Sequence, residues 1–296
     1  MRFITIIHVL SALMLSPVIP GIINKVKALF AGRKGKPVLQ MYYDLGKLLR
    51  KGSVYSRTTT WIFKASPLIS TAAGVVGVML VPLGNGSNLL TFQGDMILVV
   101  YLFGFSKFAT VMAALDTGSA FEGMGASREV QFSMLAEPAM LLGLCALSAL
   151  SGETSLNTMF TSLQTGTRPI LAAAIFIVLL AENSRIPFDD PNTHLELTMV
   201  HEAMILDHSG PDLALIEYGA TLKFWIYASL TASLLVPPGI SGEGSSLVAG
   251  LIALFLVAVA VGIVESIMAR LRLIRVPQLL VGATILSLIS LILIIR

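Results

Sequence analysis

The sequence predicts an all-α, polytopic membrane protein of about eight transmembrane helices, with amphipathic helices on one side of the bilayer. Three observations predict it. Hydrophobic residues make up 55% of the 296 residues and charged residues only 12%, with a mean hydropathy of +0.84; a soluble domain carries about 25% charged residues. Apolar runs of the roughly 20 residues needed for a crossing recur at 3–23, 66–83, 95–115, 131–150, 167–184, 213–236, 246–269 and 276–295. Lys and Arg alternate between the connecting loops, as they do when basic loops stay on the cytoplasmic side.

Residues 3–23 follow a single early cation, Arg2, and no A-x-A-like cleavage site closes them. They read as a retained first span rather than a signal peptide. The loop at 24–65 holds ten of the twenty Lys and Arg, whereas the loops at 84–94, 151–166 and 237–245 hold none. Arg270, Arg272 and Arg275 lie between the last two spans. Both termini are therefore expected on the outer side of a prokaryotic inner membrane, with 24–65 and the acidic stretch 182–212 on the cytoplasmic side of a single domain, 1–296. In the first loop, GRKGKP is a basic turn. Val38, Leu39, Tyr42, Leu45, Leu48 and Leu49 then recur at helical spacing with Asp44, Lys47, Arg50 and Lys51 between them. That pattern is an amphipathic interfacial helix, serving as a surface anchor or as a docking surface.

Ionisable residues also fall within the apolar runs. Lys107 lies midway along the third span and Lys223 near the middle of the sixth. Glu137, followed by the helix-bending Pro138, lies in the fourth, and Glu217 and Glu265 lie a turn or two into the sixth and seventh. Only 13 residues separate Arg168 from Glu182, about 20 Å of helix. A full crossing therefore draws Glu182 into the membrane or starts before Arg168. An ionisable group at the bilayer centre costs at least about 2.5–3.5 kcal/mol, so these groups must face the bundle interior. There they form structural ion pairs, for instance Glu217 with Lys223, or line a polar pathway that exchanges protons.

The densest charge is at Ala181–Tyr218, which holds eight of the seventeen carboxylates and three of the four histidines. ENSRIPFDDPN is rich in turn formers and closes the fifth span. Thr193–Leu206 then reads as a helix with Leu195, Met199, Ala203 and Leu206 on one face, ending at His208-Ser209-Gly210. His194, His201 and His208 are seven apart, about 10 Å along a helix, too far for two of them to share a metal ion. The single cysteine, Cys145, forms no intrachain disulfide and does not hold an iron–sulfur cluster, which takes about four ligands. No cofactor is expected on this chain, and no nucleic acid among its partners.

These residues also carry a resemblance. ENSRIPFDDPNTHLELTMVHEAMILDHSGPDLALIEY resembles the loop of the respiratory complex I membrane subunit beside the quinone site, with its E-x-N-R-x-P-F-D-x-P motif. It is more similar still to the homologous subunit of energy-converting, membrane-bound [NiFe] hydrogenases of the formate hydrogenlyase and hydrogenase-4 kind, whose loop reads like DDPxTHLELTMxHEAMxLDHSG. GRKGKPVLQMYYDLGKLLRKG and GASREVQFSMLAEPA resemble the first loop and the fourth-span entry of that family. The motifs cover about residues 20–225, and the last two spans match in hydropathy.

The resemblance implies an anchoring and proton-coupling subunit. Its partners would be the large and small soluble hydrogenase subunits, an iron–sulfur protein and antiporter-like membrane subunits, with the iron–sulfur clusters and the NiFe centre held by those partners. Glu137 matches the fourth-span glutamate. Glu182, Arg185 and Asp189 match the E-x-N-R-x-P-F-D motif, Glu196 the S-E-L-like step, and Glu202 the hydrogenase HEAM variant. Asp207 matches the acid before Ser-Gly. Glu217 falls in the A-E-Y-like step, closer to Ser-Gly than in that family. Together with Glu265, Lys107 and Lys223 these residues form the expected coupling set, and Arg33 and Arg185 the expected docking residues. The chain has KPVLQMYYD where the complex I version continues N-R-V-G, which speaks against a quinone pocket of that kind. The alternatives are a quinone-site subunit of complex I, an independent secondary transporter (no internal repeat is visible) and a passive scaffold.

Overall fold

The computed structural model describes residues 2–84, 86–161, 166–189, 199–237 and 242–295. Among them the chain forms α1 (Arg2–Leu15), α2 (Val18–Phe30), α3 (Gln40–Leu49), α4 (Trp61–Leu80), α5 (Asp95–Asp116), α6 (Ala120–Ser151), α7 (Leu156–Thr161), α8 (Arg168–Glu182), α9 (His201–Met204), α10 (Gly210–Leu235), α11 (Glu243–Ile267) and α12 (Val276–Ile295). The described residues contain no strand, as the all-α expectation requires. Each of the eight apolar runs contains helix. Among the described residues, length and apolarity alone support five crossings, or six if the bent pair α1–α2 is one span, which is fewer than eight. Of the two remaining stretches, α8 has only 15 residues, and α10 carries Asp212, Glu217 and Lys223.

The helices meet at two loop faces. On one, Val54 N–H donates to Ser209 Oγ, Thr60 N–H to Asp116, Asp207 N–H to Glu122, and Leu271 N–H to the Pro187 carbonyl. The first and last of these contacts join basic loops to the acidic one, and the other two tie the loops to the α5–α6 connection. On the other face, Ser155 and Leu156 donate to Asp95, and Arg168 donates to the Val236 carbonyl. The alternation of basic and cation-free loops thus corresponds to two physical ends of the bundle.

α10 is the central helix, packed on α4, α8 and α11. It is buried all round from Phe224 to Leu234, the behaviour of a helix enclosed by others. Its Ser229, Thr231 and Ser233 hydroxyls each donate to the carbonyl four residues back, so none of the three is stranded in the core. The outer helices present apolar residues outward, for example Ile252 and Leu256 of α11 and Ile285 and Ile292 of α12.

The first span is broken. α1 and α2 meet at 54°, with Pro17 at the junction. Proline has no N–H to donate to Leu13, four residues back, so the carbonyls at the break need other partners. Tyr218 of α10 donates its hydroxyl to Leu13 O at 2.8 Å, and Tyr42 of α3 donates to Met14 O. Gly21 lets the next loop approach: a Cβ there would lie 2.0 Å from Val38 O.

Two expectations are corrected. α6 begins at Ala120 and runs 32 residues, well before the expected 131. Gly125 admits the 199–204 segment, since a Cβ there would lie 2.8 Å from Val200 O. The helix expected over 193–206 is only four residues long among the described positions, and Met199–Val200 are not helical. Tertiary bonds hold that backbone: Arg128 donates to Met199 O, and Val200 N–H donates to Asp189. Residues 190–198 lie outside the described positions.

Tyr218→Phe removes the donor to Leu13 O and leaves a part-buried carbonyl unpaired. The expected loss is about 1–3 kcal/mol of stability, read as a lower unfolding temperature of the purified complex. The neighbouring exposed Tyr43→Phe is expected to leave it unchanged.

Candidate functional site

The site is built around the end of α8. This helix does not begin before Arg168, and its 15 residues reach only about 22 Å. Its last residue, Glu182, is therefore drawn inside the bundle, the first of the two alternatives read from the sequence. Glu182 is 6% exposed. Its Oε1 accepts from Lys107 Nζ at 2.6 Å, and its Oε2 lies 3.1 Å from Lys223 Nζ. Lys107 also donates to Ser133 Oγ at 2.7 Å and lies 3.7 Å from Glu129. Four helices, α5, α6, α8 and α10, thus supply two carboxylates and two ammonium groups to one buried cluster. Lys223 pairs with Glu182 rather than with Glu217. Positions 217 and 223 are six apart, and side chains meet along a helix at three or four.

On the loop side of this cluster lies a cavity of about 310 Å³. Its wall carries the carboxylates Glu129, Glu182, Glu202 and Glu217, the cations Lys107, Arg185 and Lys223, and His201. Pro20 and Asn24 of α2 and Met41 of α3 close another side. On the far side of the Lys107–Glu182 pair is a second space of about 10 Å³, lined by Glu137, Tyr227, Lys107 and Glu182. That is about the size of one water. Gly104 leaves room beside Glu137, whose Oε1 would lie 3.9 Å from a Cβ at that position. Carboxylates therefore succeed one another from the cavity mouth inward, with lysines between them.

Of the remaining predicted residues that are described, Arg185 also lines this cavity. Glu265 of α11 is buried and pairs with Lys27 of α2 at 2.9 Å and with Arg185 at 3.5 Å. The Arg185 guanidinium also lies over the Phe224 ring, 5.7 Å from its centroid. Arg185, expected as a docking residue, is thus turned inward and joins the Glu265 pair to the cavity wall. Asp189 pairs with Arg270 at 2.7 Å. Asp207 is exposed and is joined to α6 through its backbone, whose N–H donates to Glu122 Oε1 at 3.1 Å. Arg33 is exposed on the turn after α2. Glu196 and His194 lie outside the described residues. His201 and His208 share no helix face, because α9 ends at Met204; His208 instead stacks on Phe63 at 3.8 Å.

Sequence reasoning missed Glu129 and Glu122, because an apolar window starting at 131 left both in a loop. Their spacing was a usable signal: Glu122, Glu129 and Glu137 are seven and eight apart, which places them along one helix face.

The fold and site define a polytopic helical membrane protein organised around a buried network of carboxylates and lysines. The chain belongs to the NADH dehydrogenase family, whose profile matches residues 2–295. It is 31% identical over 269 residues to hydrogenase-4 component C of Escherichia coli, covering 87% of this chain and 84% of that protein. It is 29% identical over 291 residues to formate hydrogenlyase subunit 4 of the same organism, covering 93% and 92%. An NADH-quinone oxidoreductase subunit of Syntrophotalea carbinolica is 28% identical over 207 residues, 65% of this chain and 62% of that one. These homologues are subunits of oxidoreductase complexes. The fold matches a chain of the membrane-bound sulfane sulfur reductase, an archaeal respiratory membrane complex, with a TM-score of 0.84 at 21% identity over 99% of this chain and 98% of that one.

Two outcomes follow from the geometry. Lys107→Met leaves Glu182 and Glu129 without their shared cation; breaking such a buried pair costs about 3–5 kcal/mol. The expected result is a large drop in unfolding temperature, partly restored by adding Glu182→Gln. Burial lowers His208 to a pKa of about 4, against a smaller upward pull from Asp212 and Asp207. Burial also lowers His201. The unfolded chain thus binds more protons between about pH 6.5 and 4, so stability is full above that window and falls as pH drops through it. Unfolding temperature measured from pH 7 to pH 5 is expected to decline, less steeply in His208→Phe, which keeps the ring on Phe63.

Proposed function

We infer that this chain is the membrane anchor and proton-coupling subunit of a membrane-bound [NiFe] hydrogenase complex in a prokaryotic inner membrane. Its acidic loop face would lie on the cytoplasmic side and both termini outside. The observation that carries the reading is the 310 Å³ cavity, where the glutamate of the HEAM segment, Glu202, shares a wall with the buried Glu182–Lys107–Lys223 cluster. Support also comes from the two relatives matched over most of their length, both named for hydrogenase or formate hydrogenlyase complexes. The soluble large and small hydrogenase subunits and an iron–sulfur protein would dock on the acidic loop face and hold the NiFe centre and the clusters. Antiporter-like membrane subunits would pack beside the bundle.

The coupling is electrostatic. A change of charge on the docked arm acts first on the loop acids Asp189, Glu196, Glu202 and Asp207, and on His201. Glu202 and Glu217 share the cavity with Glu129. Lys107 lies between Glu129 and Glu182, so protonating either carboxylate strengthens its hold on the other. Glu137, across the water-sized space, receives the change. Glu265 follows it through Arg185. Each step shifts a proton or an ammonium by a few ångströms within fixed walls, and burial makes such shifts energetically large.

The relation to the NADH-quinone oxidoreductase family keeps a second reading, a quinone-site subunit of complex I. Purification by a tag on this chain separates the two. Nickel and a hydrogenase large subunit are expected; flavin with an NADH-oxidising module would replace the first reading by the second. Within the hydrogenase reading, Glu129→Gln, Glu137→Gln and Glu202→Gln are each expected to lower the ion gradient formed per hydrogen, because the amide cannot take up and release the proton that the carboxylate carries. Unchanged hydrogen turnover and an unchanged gradient in all three variants would remove the coupling role.

A further inference from the structure

The first basic loop carries a feature that coupling does not use. Along α3, Tyr42, Tyr43, Gly46, Lys47, Arg50 and Lys51 line an open groove of about 410 Å³. Lys47 stands one turn after Tyr43 on the helix, and Arg50 and Lys51 follow directly past its C-terminal end at Leu49, so the three cations gather at one end of the groove. None of the three cations has an ion pair among the described residues. The only acid of the helix, Asp44, accepts from Gln40 at 2.9 Å and lines no part of the groove. Nothing lies within 4 Å of a Cβ built at Gly46, so the groove floor is open.

The orientation of the groove identifies its occupant. α3 runs beside the first turns of α10. Its cationic end reaches the loop face, where the Lys51 carbonyl lies 3.2 Å from a Cβ built at Gly210. Its other end is pinned inward, where Tyr42 donates to Met14 O at the break of the first span and Tyr218 donates to the adjoining Leu13 O. Leu39, Tyr42 and Tyr43 are exposed at that inner end. The groove is therefore aromatic toward the membrane, with the exposed Leu39 just beyond its lining, and threefold cationic toward the loop face. That is the chemical gradient of a phospholipid, and tyrosines favour the interfacial level between its two parts. An acidic soluble protein would satisfy the cations and leave the inner tyrosines and Leu39 uncovered.

We propose that the α3 groove is a binding site for one anionic phospholipid, with its phosphate on Lys47, Arg50 and Lys51 and its acyl chains along Tyr42, Tyr43 and Leu39. A lipid there braces α3, and through Tyr42 it braces the broken first span and the α2–α3 wall of the cavity.

The test uses the intact tag-purified complex reconstituted in phosphatidylcholine nanodiscs with increasing phosphatidylglycerol, reading unfolding temperature. Phosphatidylglycerol is expected to raise it at a few lipids per particle, while free inorganic phosphate at the same concentration does not. Each cation near the surface contributes about fivefold in affinity, so Lys47→Gln/Arg50→Gln/Lys51→Gln is expected to need about a hundredfold more phosphatidylglycerol. Lys47→Arg/Lys51→Arg is expected to keep the response, as is Lys34→Gln/Lys36→Gln, which removes cations outside the groove. An unaltered response in the triple variant overturns the proposal. An equal loss in Lys34→Gln/Lys36→Gln also overturns it, because it shows general surface charge and no site. Loss of the soluble subunits from the triple variant in pure phosphatidylcholine overturns it in favour of a protein-docking face.

Discussion

Glu182 between two lysines is the interaction on which the rest of the bundle depends. A carboxylate inside a membrane protein must be paired, because an uncompensated buried charge is too costly to retain. Its pairing needs α8 to stop where it does and α5 and α10 to present Lys107 and Lys223 at that depth. It also needs α6 to continue far enough toward the loop face to bring Glu129 and Ser133 alongside. Four helices are thereby held at a fixed rotation and depth. The charge pattern sets their register, much as a single polar position sets register in a coiled coil.

A second set of constraints closes the loop face. The broken first span leaves carbonyls that tyrosines from α3 and α10 satisfy, so the amphipathic helix and the central helix are tied to one hinge. Gly210, at a φ of +57°, lets the α10 start lie against Gly52. His208 stacks on Phe63, and Arg270 holds Asp189. The basic loops and the acidic loop therefore form one layer above the cavity. In the proposed coupling, a change of charge in that layer would act on the cavity through these contacts.

The archaeal chain shares the fold at 21% identity. Such divergence is tolerated on surfaces that meet lipid, where one branched apolar residue replaces another at little cost. In this chain the outward faces of α11 and α12 carry such residues, for example Ile252, Leu256, Ile285 and Ile292. The charged cluster is the opposite case, because Glu182, Lys107 and Lys223 each depend on a partner from another helix.

The sequence alone determined the all-α class, the apolar runs and the two-sided distribution of cations, because each depends on local composition or on spacing along one helix. It also announced Glu137, Glu182, Glu217, Glu265, Lys107 and Lys223 as groups that lipid would not accept. The tertiary structure decided their partners. It gave Lys223 to Glu182 instead of Glu217, turned Arg185 inward to Glu265, and brought Glu129 into the cavity wall from a stretch that read as loop. It also replaced a helix at Met199–Val200 with backbone held by Arg128 and Asp189. The physical reason is the same throughout. Hydropathy reports whether a residue leaves water, whereas the partner of a buried charge is fixed by the rotation and depth of helices distant in sequence.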